Sequence, residues 1–326
     1  MSDYGARVAA QIRQYEFVDN MHELPDSFHY YSLHNIRPRV NHVFGVDSIA
    51  EFFASGLTRR REASRAYRFL SIGSGDAGYE VEVAKLLLAS GYVDFTFDCA
   101  EISPLMNARA AEKVAAAGLG SHFRLLEVDI NTWVSQDRYD GAMAHHSLHH
   151  IVELEHVFLN VKRSLDPHAN FCVADMIGRN GHMRWPEVLE YVDLLWGFLP
   201  PEKRLNHQLK RLEERFVNSD CSSEGFEGIR AQDILPLMLG FFSFRAFTAW
   251  GGLVEVFFDR GFGWNFNAQV DSDRAFIEFV TRLNDDLIKA GRIRPTQMLA
   301  LLSAGPAEEP PVLYEGLTPA LAVRWP

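Results

Sequence analysis

Between residues 67 and 177 the chain switches hydrophobic period repeatedly. Apolar runs of strand length, YRFLSIG (67–73), FTFDCAE (95–101), HFRLLEVD (122–129), YDGAMAHH (139–146) and NFCVADMI (170–177), mostly alternate with segments whose apolar residues recur every three or four positions. After the first run Tyr79, Val83, Leu86 and Leu87 share one helical face. After the second, Met106, Ala110, Val114 and Ala117 form a stripe, opened by Ser103 as N-cap with Pro104 at the first helical position and closed by Gly118. Ile151, Leu154, Phe158, Val161 and Leu165 repeat between the fourth and fifth runs until Asp166 and Pro167 end the series. This alternation predicts an α/β fold with a doubly wound, mostly parallel sheet, helices on both faces and ligands at the carboxyl ends of the strands.

The flanks read differently. Residues 1–60 are expected to be a helical, aromatic-rich N-terminal lid, and 61–180 the α/β core. Residues 181–240 carry WPEVLEYVDLLWGFL, NHQLKRLEERF and RAQDILPLMLGFF, three amphipathic stretches expected as a helical cap insert outside the alternating core. Residues 241–326 should complete the sheet and add C-terminal helices: FSFRAFTAW reads as a strand, and TQMLALLSA as a last strand or a helical turn. NSDCSSEGFEG (218–228) reads as a loop.

Composition narrows the partners. The 326 residues are 47% hydrophobic with a formal net charge of -11, so neither a nucleic acid nor an anionic membrane surface is an expected partner. A small molecule is, and a homodimer stays open. MSDYGARVAAQIRQYEF lacks the apolar core of a secretory signal, and ILPLMLGFFSF is too short to span a bilayer. Three cysteines are too few for a disulfide framework, which fits a cytoplasmic location.

The chemistry gathers at strand ends. Gly73, Gly75 and Gly78 make G-x-G-x-x-G between a strand and a helix, where the backbone can pass close to a cofactor. Glu101 ends the next strand and can accept hydrogen bonds from both ribose hydroxyls. Asp129 ends the third, where it can accept from an adenine amino group while Ile130 packs on the ring. The set is nucleoside-shaped. A nicotinamide dehydrogenase would use a similar glycine turn and acid, but no Tyr-x-x-x-Lys pair stands in a suitable helix.

In LSIGSGDAG, CAEIS, EVDI and YDGAMAHHSLHHI, in that order and spacing, the sequence resembles the class I methyltransferases that use S-adenosylmethionine. The resemblance covers about a third of the chain, and its flanks look like those of bacterial small-molecule methyltransferases. It implies a Rossmann-like, seven-stranded sheet with an antiparallel last strand, S-adenosylmethionine as cofactor and S-adenosylhomocysteine as product. The glycine loop would include Ser71, Gly73, Ser74, Gly75 and Gly78, with Glu101 and Ile102 at the ribose, Asp129 and Ile130 at the adenine, and His145 near the methionine part. Two departures stand out: the family usually has an acid where Ser71 stands and often a glycine where Ala77 stands. The implied activity is methyl transfer to an oxygen or nitrogen of a small acceptor such as a sugar or secondary metabolite. A nucleoside-binding regulatory subunit is the alternative.

HHSLHH places four imidazoles at the end of the fourth strand. His145/His149 and His146/His150 are each four apart, but only a helix would turn such pairs into metal ligands, so no metal is expected. A hydroxyl acceptor needs a base, for which His146 or His145 is placed. His149 and Asp175 are expected on the substrate side, together with Tyr30, Tyr31 and Arg37 from the aromatic N-terminal segment.

Overall fold

The computed structural model describes residues 3–16, 23–59, 65–223, 225–307 and 309–325. Helix α1 (Asp3–Glu16) comes first, followed by α2 (Asp26–Tyr31), a π-helical turn at Ser32–Ile36, α3 (Arg37–Phe44) and α4 (Ile49–Thr58). The alternating core then runs β1 (Tyr67–Ile72), α5 (Gly78–Ala89), β2 (Phe95–Glu101), α6 (Pro104–Ala116), β3 (Phe123–Glu127), β4 (Tyr139–His145), α7 (Leu154–Ser164) and β5 (Leu165–Met176). Next stand α8 (Pro186–Phe198), a hairpin of β6 (Leu205–Asn206) and β7 (Arg211–Leu212), and α9 (Ala231–Phe241). The chain closes with β8 (Ser243–Trp250), α10 (Val254–Phe258), α11 (Asp271–Lys289), β9 (Gln297–Ser303), β10 (Val312–Leu313) and α12 (Pro319–Ala322).

The sheet order is β10-β8-β9-β5-β4-β1-β2-β3. Strands β1 to β5 are mutually parallel, and β9 lies antiparallel between β5 and β8. This is the expected Rossmann-like sheet of seven strands, with TQMLALLSA supplying the antiparallel one and two-residue β10 added as an eighth at the edge. Period-two alternation splits the core. On β1, Tyr67 and Phe69 face a cluster shared with α4, α5 and α6, whereas Leu70 and Ile72 face one shared with α7 and α9. Phe69, Phe97, Phe158 and Phe171 are fully buried, each contributing about 2–3 kcal/mol of transfer free energy. Strand β1 pairs with β2 on one side and β4 on the other, so the crossover direction reverses beside it. A crevice outside the carboxyl ends of β1 and β4 follows from that reversal.

Local signals hold well in the core. Ser103 Oγ accepts from Met106 N at 3.3 Å, capping α6, and Gly118 takes φ +69° just past its end. Four readings change. Strand β3 stops at Glu127, so Asp129 lies two residues beyond it. NHQLKRLEERF contains the β6–β7 hairpin in place of a helix: Asn206 Oδ1 accepts from Gln208 N and Leu209 N at 3.1 and 3.0 Å, a local turn that competes with helical pairing. Helix α9 does not cap the molecule; Ile234, Leu235 and Met238 are buried against the sheet beside α7, making α9 the crossover helix before β8. Helix α4 is likewise part of a sheet layer: a Cβ on Gly56 would stand 2.6 Å from Cys172 Sγ on β5, so glycine permits the close approach.

Candidate functional site

The glycine turn leaves β1 with Gly73 at φ +62° and Gly75 at φ +54°, and Ala77 at +54° enters α5. Ala77 thus holds the left-handed conformation that favours glycine, at about 1–2 kcal/mol. A Cβ on Gly73 would come 2.7 Å from Ser147 Cβ, and Ser147 Oγ donates to Ile72 O at 2.6 Å. The glycine turn and the end of β4 are therefore in contact. A Cβ on Gly75, by contrast, would meet no atom within 4 Å. The backbone at Gly75 therefore borders open space, with room for a bound group to lie against it.

The acids line up beside it. Glu101 accepts from Gly75 N at 3.0 Å through Oε2 and from Ser103 N at 2.7 Å through Oε1, which fixes its carboxylate against the turn. Burial raises its pKa, an effect that the backbone donors oppose. Ile102 follows it, half-buried. Asp129 accepts from Asn131 N at 3.0 Å and from the Tyr4 hydroxyl of α1 at 2.7 Å, and Ile130 is half-buried against the core. The set fits a nucleoside: half-buried turn backbone with open space at Gly75, a carboxylate beside it and a second carboxylate one strand further on. Ser71 behaves differently. It is buried, and its hydroxyl donates to Glu80 Oε1 at 2.6 Å. Glu80, 3% exposed on the first turn of α5, has its pKa pushed up to about 7, chiefly by burial and against the Ser71 bond. The acid missing at Ser71 thus stands nearby on the following helix. Its signal was one charged residue on the buried stripe with Val83, Ala84 and Leu87.

The histidines separate. His145 lies between rings, 3.7 Å from Tyr79 and 5.7 Å from Phe53 by centroid. His146 takes φ +49°, its N–H donates to Ala174 O at 2.8 Å, and burial lowers its pKa to about 4. His149 is 3% exposed, with Nδ1 2.6 Å from Asp175 Oδ1. Asp175, at the end of β5, also accepts from Ser147 N at 3.0 Å and Leu148 N at 2.8 Å. Burial disfavours a charged His149, but Asp175 and Glu227 outweigh it and raise its pKa, while the facing imidazole lowers that of Asp175. His182 and Glu227 complete the cluster. His182 Nε2 is 2.7 Å from Glu227 Oε1, and His149 Nε2 is 3.5 Å from the same oxygen. The ligand atoms of His149, His182 and Glu227 all lie within 4.8 Å of one another, so this trio, different from the pairs within HHSLHH, has the geometry to hold a metal ion. His182 and Glu227 sit on loops 45 residues apart and offered no spacing pattern to read.

Helix α1 spans these features. Besides Tyr4, Arg7 donates to Ser222 O and Gly225 O at 2.9 and 2.6 Å, and Gln11 Nε2 is 3.2 Å from His150 Nδ1. Tyr30, Tyr31 and Arg37 are engaged elsewhere. The Tyr30 hydroxyl donates to Glu278 at 2.7 Å, Tyr31 is buried with its ring 6.5 Å from Phe258, and Arg37 pairs with Asp47 at 3.2 Å. Tyr30 and Tyr31 line a cavity of about 450 Å³ with Glu278 and Asp285 of α11. No helix among the described residues is long and apolar enough to cross a membrane.

Residues 70–173 match the family model described as a methyltransferase domain. No curated protein matches the sequence. Among solved structures, the chain is similar to the O-methyltransferase from a trans-AT PKS multienzyme of Brevibacillus brevis in complex with S-adenosyl-L-homocysteine, at 14% identity over 78% of this chain and 72% of that one, TM-score 0.43. It is also similar to the 4+2 cyclase SpnF, at 15% identity over 87% and 98%, TM-score 0.43. A geranyl diphosphate methyltransferase in complex with GPP and sinefungin is a third, at 12% identity over 78% and 76%, TM-score 0.44.

Proposed function

We propose that this chain, whose residues 70–173 match a methyltransferase domain, uses S-adenosylmethionine to methylate a hydroxyl oxygen of a small molecule held at the carboxyl ends of β4 and β5. The observation that carries the reading is the contact between the glycine turn and Ser147. In support, Ser147 leads into the turn Leu148–His150, whose His149 faces Asp175 and Glu227, so that a cofactor cradled by the glycine turn would adjoin that cluster.

When bound, S-adenosylmethionine supplies a methyl group already activated on a sulfonium, so the protein's tasks are alignment, exclusion of water and proton handling. Glu101, fixed by Gly75 N and Ser103 N, is the ribose acceptor; Asp129 is the acceptor for the adenine amino group, with Ile130 against the ring. Ser71, Gly73, Ser74, Gly75, Gly78 and Ile102 shape the loop, Ser71 acting through Glu80. His145, wedged between Tyr79 and Phe53, is a wall residue near the methionine part.

A hydroxyl acceptor would have to shed its proton as it is methylated, and the imidazole able to take one is His146, because His149 already holds its proton between Asp175 and Glu227. Asp175 orients His149, and Glu227 orients His182. His146 is held neutral by burial and borders this cluster. Helix α1, whose Tyr4 and Gln11 reach Asp129 and His150, is the part of residues 1–60 to which we assign the lid role.

The test is formation of S-adenosylhomocysteine against a panel of hydroxylated small molecules, followed by the His146→Asn variant on any acceptor found, asparagine suiting the left-handed backbone there. Turnover that falls at least about tenfold with cofactor affinity unchanged supports the assignment. Unchanged turnover, or transfer confined to amines, overturns it.

A further inference from the structure

We infer that His149 Nε2, His182 Nε2 and a Glu227 carboxylate oxygen form a site for one divalent transition-metal ion of the imidazole-preferring kind, with zinc as the fitting member. The three ligand atoms already lie within 4.8 Å of one another. Two histidines and one glutamate with coordination positions left over is a donor set that zinc accepts in open sites. The remaining positions would take water or an oxygen of the bound acceptor. This last point rests on the proposed location of the acceptor; the binding of the ion does not.

Three further features point to an ion. The first is the support behind His149. Its other ring nitrogen faces Asp175 Oδ1 at 2.6 Å, and Asp175, 1% exposed, is itself anchored by two backbone N–H groups. A buried carboxylate that fixes the tautomer and aims the opposite nitrogen is the usual arrangement behind a metal-bound histidine. The second is charge: Asp175 and Glu227 bring two negative charges, which one dication balances with both imidazoles neutral.

The third is the way the two loops are brought together. Gly181 N donates to Gly228 O at 2.9 Å, linking the residues next to His182 and Glu227, and Cys221 N donates to Gly181 O at 3.0 Å. Both glycines have positive φ, and a Cβ on Gly181 would stand 1.9 Å from Asp220 Oδ1. A Cβ on Gly228 would stand 3.0 Å from His182 N. The backbone is thus arranged for close approach of two loops whose adjoining side chains meet at His149.

The experiment uses the full chain, stripped with a chelator and dialysed, without cofactor or acceptor. Zn²⁺ is titrated against a chromophoric competitor, and Co²⁺ is followed by its visible d–d absorption. The expected result is one equivalent of either ion. Binding should be lost in His182→Ala and Glu227→Gln, weakened about 10–100-fold in Asp175→Asn, and retained in Cys221→Ser. His182 is partly exposed, so its variant should keep the wild-type melting temperature, which is measured alongside. Binding that survives in His182→Ala, or that disappears in Cys221→Ser, overturns the proposal, as does absence of a stoichiometric site. A protein that binds Zn²⁺ without methylating any hydroxyl would refute the proposed function and leave the metal site standing; the reverse outcome would do the opposite.

Discussion

Replacing Glu80 with glutamine isolates the protonation of one buried carboxyl. Burial pushes its pKa from the ordinary 4.5 to about 7. Between these values the folded protein holds a proton that the unfolded chain has released, so stability falls as pH rises through the window and is lowest above 7. The gap of 2.5 units (7 − 4.5), at about 1.36 kcal/mol each, amounts to about 3 kcal/mol as an order of magnitude. Glutamine keeps an oxygen to accept from Ser71 Oγ and cannot ionise. Wild type and Glu80→Gln should therefore have similar stability near pH 4.5, with the variant ahead by about 2–3 kcal/mol at pH 8. Urea unfolding at several pH values, read as the difference between the two proteins, cancels the other titrating groups. A difference that does not change with pH would refute the reasoning.

Two glycines of one turn should separate folding from binding. Gly73→Ala combines a left-handed backbone with a contact of 2.7 Å to Ser147, and should cost more than about 2 kcal/mol by thermal unfolding. Gly75→Ala carries only the backbone cost of about 1–2 kcal/mol, yet its methyl group stands in the cradle and should weaken S-adenosylhomocysteine about tenfold or more by calorimetry. Hydrogen exchange in residues 3–16 should slow when S-adenosylhomocysteine is added, because α1 is held through side-chain bonds to Asp129, His150, Ser222, Gly225 and Phe226. Exchange that is indifferent to ligand would remove α1 from the lid role.

The alternating core was legible because its signals are local. Ser103 and Pro104 open α6, Gly118 closes it, and strand runs match the observed strands to within a few residues. Of the nucleoside set, Gly75 and Glu101 are in direct contact as their strand-end positions implied. What escaped was decided at long range or by a local competitor. Asn206 binds its own following backbone and turns a helix-patterned stretch into a hairpin. Helix α9 has an amphipathic pattern that suits a cap as well as a sheet layer, and only its burial beside α7 distinguishes them. His182 and Glu227 meet His149 through loop–loop backbone bonds that no periodicity encodes. Glu80 was visible but unweighted: an acid on an apolar stripe costs several kcal/mol to ionise unless a partner compensates the charge.

The most direct measurement is calorimetric titration of the full chain with S-adenosylmethionine, S-adenosylhomocysteine and NAD(H), comparing wild type with Glu101→Ala. Binding of both sulfur nucleosides, weakened about tenfold or more by the substitution while NAD(H) gives no heat, is the predicted result, since charged hydrogen bonds to the ribose are worth about 1.5–3 kcal/mol. Binding of NAD(H) alone, or sulfur-nucleoside binding indifferent to Glu101, would contradict the assignment of the glycine turn.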